Sequence, residues 1–205
     1  QAFKQAMLAD HAGKAPVLVT PLDLNGLVAT LVELLRDSIP GNVAVRLDLD
    51  PTAPHVIADE AQIQQVVLNL LTNASEAIGE LQGRIQVRTL ALVADEGLLA
   101  HLIPGSTLKP GPCVVLEVSD TGCGMDAATQ QRIFDPFFTT KFAGRGLGLS
   151  SMLGILKGHG AGISVESRRG EGSIFRLYFP ASDERPEAQS PGPEAPAKPA
   201  RPCQG

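Results

Sequence analysis

The sequence predicts an α/β fold, a two-layer sandwich with one mixed sheet and helices on one of its faces. Three observations carry that reading. Two long stretches place apolar residues at helical spacing: Leu24, Leu27, Val28, Leu31, Leu34 and Leu35 in one, and Ile63, Val66, Val67, Leu70, Leu71, Ala74, Ala77 and Ile78 in the other. Segments at 43–49 and 84–93 alternate apolar and polar residues, as half-buried strands do. The elements follow one another as helix, strand, helix, strand, strand, helix, strand, strand, an order that closes as helices laid against one sheet.

Taken in order, residues 1–15 (QAFKQAMLADHAGKA) read as the end of a helix, with Phe3, Ala6 and Met7 on one side and Gly13 as a stop. So short a segment does not hold a helix alone, so residues 1–20 are expected to be the tail of a longer helix and a linker. A helix over 23–37 ends at Pro40 and Gly41. Asp59 is placed to cap a long helix over 60–80, with Gln62 three residues on as a capping-box variant. Residues 94–112 hold Gly97, Pro104, Gly105, Pro110, Gly111 and Pro112 and read as a loop or insertion. A short buried strand follows at 114–119, then a glycine-rich stretch to 148 with one helical piece near 128–134. A helix at 149–157 and strands at 163–167 and 173–179 close the domain, which is set at 21–180. Beyond it, residues 181–205 hold six of the 16 prolines and almost no large apolar residue, which reads as a disordered linker to a further module.

Composition narrows the function classes. The chain is 43% hydrophobic and 19% charged, ordinary for a globular protein. A net charge of −5 and a single Tyr with no Trp argue against a nucleic-acid partner. No apolar run approaches the roughly 20 residues a membrane helix needs, so no membrane contact is expected of this segment. Cys113, Cys123 and Cys203 fit neither a zinc site nor a disulfide framework, which suits a cytoplasmic location.

Four stretches carry chemistry. On the helix 62–78, Gln65, Asn69 and Asn73 are spaced by four and Glu76 follows by three, so all lie along one side. Asn is a mediocre helix former, and amide oxygens suit Mg²⁺ without repelling phosphate. The same side would equally serve as a solvated polar face. Asp120-Thr121-Gly122-Cys123-Gly124-Met125 follows a buried strand: its carboxylate can accept from the amine of a base while the glycines turn the backbone beside it, or the stretch is a plain turn. Phe134, Phe137 and Phe138 around Pro136 can anchor a mobile segment, with Thr139, Thr140 and Lys141 after them; Lys141 can reach a phosphate or face solvent. Gly144-Arg145-Gly146-Leu147-Gly148-Leu149-Ser150 leads into a helix, where free backbone N–H groups and the helix dipole favour phosphate. The P-loop and dinucleotide patterns are both missing.

In this order, with strands between, these stretches resemble the N, G1, F and G2 boxes of the ATP-binding catalytic domain of sensor histidine kinases, within the wider group of gyrase, Hsp90 and MutL ATPases. The resemblance spans 21–180. It implies the Bergerat α/β sandwich and ATP with Mg²⁺. It implies Asn73 as the Mg²⁺ ligand, Asn69 near the phosphates, and Asp120 as the adenine acceptor beside Gly122 and Gly124. Phe138, Thr140, Lys141, Gly144, Arg145, Gly146, Leu147, Gly148 and Leu149 belong to its nucleotide lid and phosphate cradle, and Ser173 stands at a hydroxyl position behind Asp120. Asn69, Asn73 and Lys141 are the residues implied in transfer.

Two departures bear on the chemistry. The wider ATPases carry a glutamate at the position of Asn69, and an amide cannot serve as a base, which favours transfer to a protein over hydrolysis. Glu76 is acidic where many kinases of the family are basic. None of His11, His55, His101 and His159 has the context of a phosphoacceptor, so the acceptor histidine and its dimerisation hairpin are expected upstream, and a receiver domain of a response regulator as a further partner, within a hybrid kinase. The alternatives are a Bergerat ATPase or anti-sigma-type Ser/Thr kinase, and a regulatory nucleotide-binding module without chemistry.

Overall fold

The computed structural model describes residues 18–139 and 148–183. In chain order they form β1 (Thr20–Leu22), α1 (Leu24–Leu35), β2 (Val43–Leu49), β3 (His55–Ala58), α2 (Glu60–Ile78), β4 (Gly83–Ala94), α3 (Glu96–Leu99), β5 (Gly111–Asp120), α4 (Ala127–Arg132), α5 (Gly148–Gly158), β6 (Gly162–Arg168) and β7 (Gly172–Ser182). The seven strands make one mixed sheet in the order β1-β3-β7-β5-β4-β2, with β6 also paired to β7. Only β2 and β4 run parallel; the other pairs are antiparallel. The expected sandwich is therefore observed, and the tail expected over 1–15 lies outside the described residues.

Long-range pairing decides the differences from the sequence reading. β1 and β3 are too short to show a period. They exist because Thr20, Pro21 and Leu22 pair with Ala58, Ile57 and Val56, and β3 in turn joins the end of β7. The 94–112 stretch is shorter as a loop than its prolines suggest. β4 runs to Ala94, β5 starts at Gly111, and Asp95 caps the single turn α3 between them.

α2 is the central helix. Asp59 accepts from the Gln62 N–H at 3.0 Å, which satisfies one of the open donors at the helix start. Gly79 ends the helix at φ 63°, a conformation costly for other residues. Ile63, Val66, Val67, Leu70, Leu71, Ala74 and Ile78 are buried against the sheet, α1 and α5. Each such aliphatic side chain contributes roughly 1.5–3 kcal/mol on burial, so this face rather than helix propensity holds α2 in place.

Strand alternation divides β5 between two environments. Val114, Leu116 and Val118 face the helices and join the main core; Cys113 and Val115 face the other way. The second face is covered at one end only. There Leu98, Leu99, Leu102 and Leu108 of the insertion close over Cys113, Val115 and Tyr178. The insertion is tied down by Ile103 N–H to Ile163 O at 2.8 Å and Thr107 N–H to Ala161 O at 3.1 Å. At the other end that face carries a ladder of charges across five strands: Asp48, Arg88, Glu117, Arg176 and Glu166.

Candidate functional site

Asp120 is the next residue in the helix-facing series of β5 after Val118, so the register of the central strand aims its carboxylate toward α2. It is 8% exposed. Its Oδ1 accepts from the Gly122 N–H at 2.7 Å. Burial pushes the carboxyl above its ordinary range, opposed by the backbone N–H groups of Gly122 and Ser173. No cationic side chain among the described residues pairs with it.

The loop after Asp120 is clamped from three sides. Thr121 exchanges hydrogen bonds with Arg84: its N–H donates to Arg84 O at 3.1 Å, and its Oγ1 accepts from Arg84 N–H at 2.9 Å. The Cys123 N–H donates to Ala77 O of α2 at 2.9 Å, and the Cys123 carbonyl accepts from Gly170 N–H at 2.7 Å. The Met125 N–H donates to Ser167 Oγ at 2.8 Å, and that hydroxyl lies 3.0 Å from Ser173 Oγ. A side chain on Gly122 would stand 2.5 Å from the Ala77 carbonyl carbon, so glycine is what lets the loop lie on α2. Gly124 and Gly172 have φ 59° and 94°. A Cβ on either would collide with a backbone carbonyl, that of Arg168 or Asp120. Cys123 is exposed, and the loop uses its backbone on both sides.

Asn69 and Asn73 stand one turn apart on α2, with Asn73 Nδ2 directed to Asn69 Oδ1 at 3.5 Å. Asn69 Nδ2 is buried without a hydrogen-bond partner. Such an orphan donor costs about 1–3 kcal/mol, so it marks a position kept for something other than stability. It borders a cavity of about 150 Å³ between α2 and α5, lined by Gln65, Val66, Asn69, Gly148, Ser151, Met152 and Ile155. A Cβ on Gly148 would meet Asn69 Oδ1 at 2.5 Å, so the start of α5 is held close to Asn69 by the absence of a side chain. The first turn of α5 therefore faces the amides of α2 across this gap.

The chain is similar to known proteins in sequence and in fold. Residues 58–183 match the family described as histidine kinase-, DNA gyrase B- and HSP90-like ATPases. The chain belongs to that family. Sensor protein FixL of Bradyrhizobium diazoefficiens is 40% identical over 143 residues, 70% of this chain and 25% of its own length. The catalytic domain of histidine kinase ThkA, in a nucleotide-free form, superimposes with TM-score 0.63 at 31% identity, over 80% of this chain and 96% of that domain. Full-length ShkA in complex with AMPPNP superimposes with TM-score 0.64 at 25% identity, over 85% of this chain and 34% of ShkA. The chain thus spans a quarter of FixL and nearly all of an isolated kinase catalytic domain. It is a sensor-histidine-kinase ATP-binding domain in the Bergerat sandwich. No helix among the described residues is long and apolar enough to cross a membrane.

Of the residues expected at the nucleotide site, Asp120, Gly122, Gly124 and Ser173 come together around the end of β5, and Asn69, Gly148 and Leu149 around the α2–α5 gap. Thr140, Lys141, Gly144, Arg145, Gly146 and Leu147 lie outside the described residues. The phenylalanines divide. Phe134 and Phe138 pack on the main core, and Phe138 lies 4.4 Å below the Arg132 guanidinium. Phe137 is 75% exposed at φ 66° and joins neither apolar cluster of the described residues. Sequence reasoning missed Ser167 and Gly172. The pair Gly170 and Gly172 around Glu171 was a visible turn signal, but nothing in it shows that the turn folds back onto Asp120.

The donor set can be tested for Mg²⁺. Among the described residues there is no group of three His, Cys, Asp or Glu that could hold a metal ion. Mg²⁺ ordinarily keeps several waters and takes one or two protein oxygens together with substrate phosphate. With Asn73 Nδ2 turned to Asn69, Asn73 Oδ1 is the atom this residue would offer. The residues therefore fit a cation that arrives with its nucleotide.

Proposed function

We propose that this domain binds Mg-ATP and transfers the γ-phosphoryl group to a histidine on a dimerisation domain upstream, in a cytoplasmic two-component kinase that hands the phosphoryl on to a receiver domain. One observation carries the reading: a desolvated carboxylate, Asp120, held by backbone N–H groups and paired with no cation among the described residues, on a loop that glycines allow to lie flat against α2. Such a carboxylate costs stability, and its use is as an acceptor for a ligand amine, that of adenine.

The roles follow from position. Asp120 accepts from the adenine amine, with Gly122 and Gly124 giving the base its flat approach and Ser173 bracing the loop through Ser167. Across the site, Asn69 Nδ2 is a donor awaiting an acceptor, which a phosphate oxygen supplies. Asn73 Oδ1 would hold Mg²⁺, whose charge offsets that of the phosphates. Gly148 and Leu149 open α5 with its dipole toward the anionic end. Thr140, Lys141, Gly144, Arg145, Gly146, Leu147 and Phe138 are assigned to the lid and cradle through the family's F and G2 boxes. The residues so placed bind and orient; Asn69 and Asn73, being amides, cannot serve as general bases. Catalysis here is positioning and charge neutralisation, which suits an acceptor imidazole that brings its own nucleophilic nitrogen.

Calorimetric titration with AMPPNP and Mg²⁺ tests the reading. Micromolar binding that is lost in Asp120→Ala and weakened without Mg²⁺ is expected. Absence of binding by the wild type, or equal binding by the variant, refutes the pocket. Acid-labile phosphate on a histidine of the parent protein, dependent on Asn73, then tests the transfer.

A further inference from the structure

His159 takes no part in the site as described, yet it is 5% exposed and fully hydrogen-bonded. Its backbone is the C-cap of α5. The Ala161 N–H donates to Leu156 O at 2.9 Å and the Gly160 N–H to Lys157 O at 3.2 Å, with Gly160 at φ 65°, the Schellman arrangement. The ring then reaches a second helix. Nδ1 lies 2.8 Å from Ile155 O, and Nε2 lies 3.0 Å from the backbone N of Asp59. A carbonyl can only accept and an N–H can only donate, so Nδ1 carries the proton and Nε2 accepts.

Asp59 is the N-cap of α2, and its carboxylate is divided. Oδ1 accepts from Gln62 N–H at 3.0 Å, closing the start of α2; Oδ2 accepts from Leu18 N–H at 3.0 Å. A continuous hydrogen-bonded path therefore runs from Leu18, through the α2 cap, to the end of α5. α2 and α5 are also the two walls of the cavity beside Asn69, and Ile155, whose carbonyl His159 holds, lines it. The relative position of those helices is set at one end by Gly148 against Asn69 and at the other by this link between caps.

We infer that His159 is a positioning residue which joins the C-cap of α5 to the N-cap of α2 and, through Asp59, to the backbone of Leu18, so that nucleotide in the α2–α5 site and attachment of the chain arriving at Leu18 form one coupled equilibrium. This rests on the nucleotide reading above. Coupling of this kind is reciprocal: if nucleotide tightens the Leu18 attachment by some factor, holding Leu18 tightens nucleotide by the same factor. Holding or releasing the backbone at Leu18 is then a route by which ATP affinity changes through the caps of α2 and α5.

Amide hydrogen exchange on the whole chain, with and without AMPPNP and Mg²⁺, tests this alongside calorimetry on the same samples. In the wild type, nucleotide should slow exchange at Leu18 and Asp59 by about 5-fold or more, the lower range of ordinary allosteric coupling. In Asp59→Asn, Oδ1 still caps α2 while the amide nitrogen cannot accept from Leu18. That variant should stay folded and bind nucleotide, and Leu18 should no longer respond. In His159→Leu the response should vanish at both amides and nucleotide affinity should fall. His159→Gln, whose Oε1 can accept from Asp59, should restore the response at Leu18, which a purely space-filling role does not predict. A wild type that binds AMPPNP with Leu18 and Asp59 exchange unchanged overturns the inference, as does an Asp59→Asn variant whose Leu18 responds like wild type. A wild type that binds no AMPPNP overturns the nucleotide reading and this inference with it, and calorimetry identifies that case directly.

Discussion

Replacing Asp120 by Asn separates the cost of the site from its use. The two side chains have the same shape. In the wild type, Oδ1 is pinned by the Gly122 N–H at 2.7 Å, the Ser173 N–H also supports the carboxylate, and its second oxygen is the atom assigned to the ligand amine. In Asp120→Asn the amide oxygen takes the pinned place, and an NH₂ group points where the adenine amine must donate. The ligand loses one charge-assisted hydrogen bond, worth about 1.5–3 kcal/mol, so AMPPNP affinity should fall roughly 10- to 150-fold. Stability should move the other way. Burial raises the carboxyl of Asp120 above its ordinary value, so the folded state holds that proton more tightly than the unfolded chain does. Stability therefore declines as pH rises from the ordinary carboxylate range through the raised folded value, and stays lower above it. The variant lacks this slope. Thermal unfolding from pH 3.5 to 8 should show the nucleotide-free variant at least as stable as wild type at neutral pH, with its advantage shrinking toward acid. Affinity within 2-fold of wild type would refute the adenine role. A variant clearly less stable than wild type at pH 7–8 would refute the claim that the carboxylate is a net cost to the fold.

Other perturbations have equally definite outcomes. Gly122→Ala puts a methyl group 2.5 Å from the Ala77 carbonyl carbon, and urea unfolding should show a loss of about 1–3 kcal/mol together with weakened nucleotide binding. Asn69→Ala removes the orphan buried donor, so the nucleotide-free domain should lose less than about 1 kcal/mol while AMPPNP affinity drops, both readable by differential scanning calorimetry with and without ligand. Glu117→Gln leaves Arg176 and Arg88 without their shared carboxylate in the centre of the back-face ladder. Since Glu117 has only 11% of its side chain exposed, denaturant unfolding should report a loss of about 1–3 kcal/mol, with nucleotide affinity unchanged because that face is opposite the site.

The sequence by itself determined the parts whose physics is local. Helical spacing of the apolar residues in 24–35 and 63–78 specified α1 and α2 and the buried face of α2, but on α1 Leu34, expected on the apolar face, is exposed and Val32 is buried in its place. Asp59 announced its cap, alternation marked β2 and β4, and a continuous apolar run marked most of β5. The candidate site was legible because its residue types conflict with local propensity: asparagines stacked in a helix, and glycines after a buried strand, are costs that point to a ligand. Tertiary structure decided what depends on partners far along the chain. β1 and β3 are strands only because Thr20–Leu22 and the end of β7 lie beside His55–Ala58; three or four residues have no period of their own. That Asp120 is a costly acceptor rather than a turn residue follows from α2 covering it and from the β6–β7 turn, through Ser167 and Gly172, closing on its loop. His159 reads in the sequence as a residue at a helix end. Its bond to an amide 100 positions earlier comes from the fold alone, since a single chain read in order carries no signal for two caps that meet only after the helices pack.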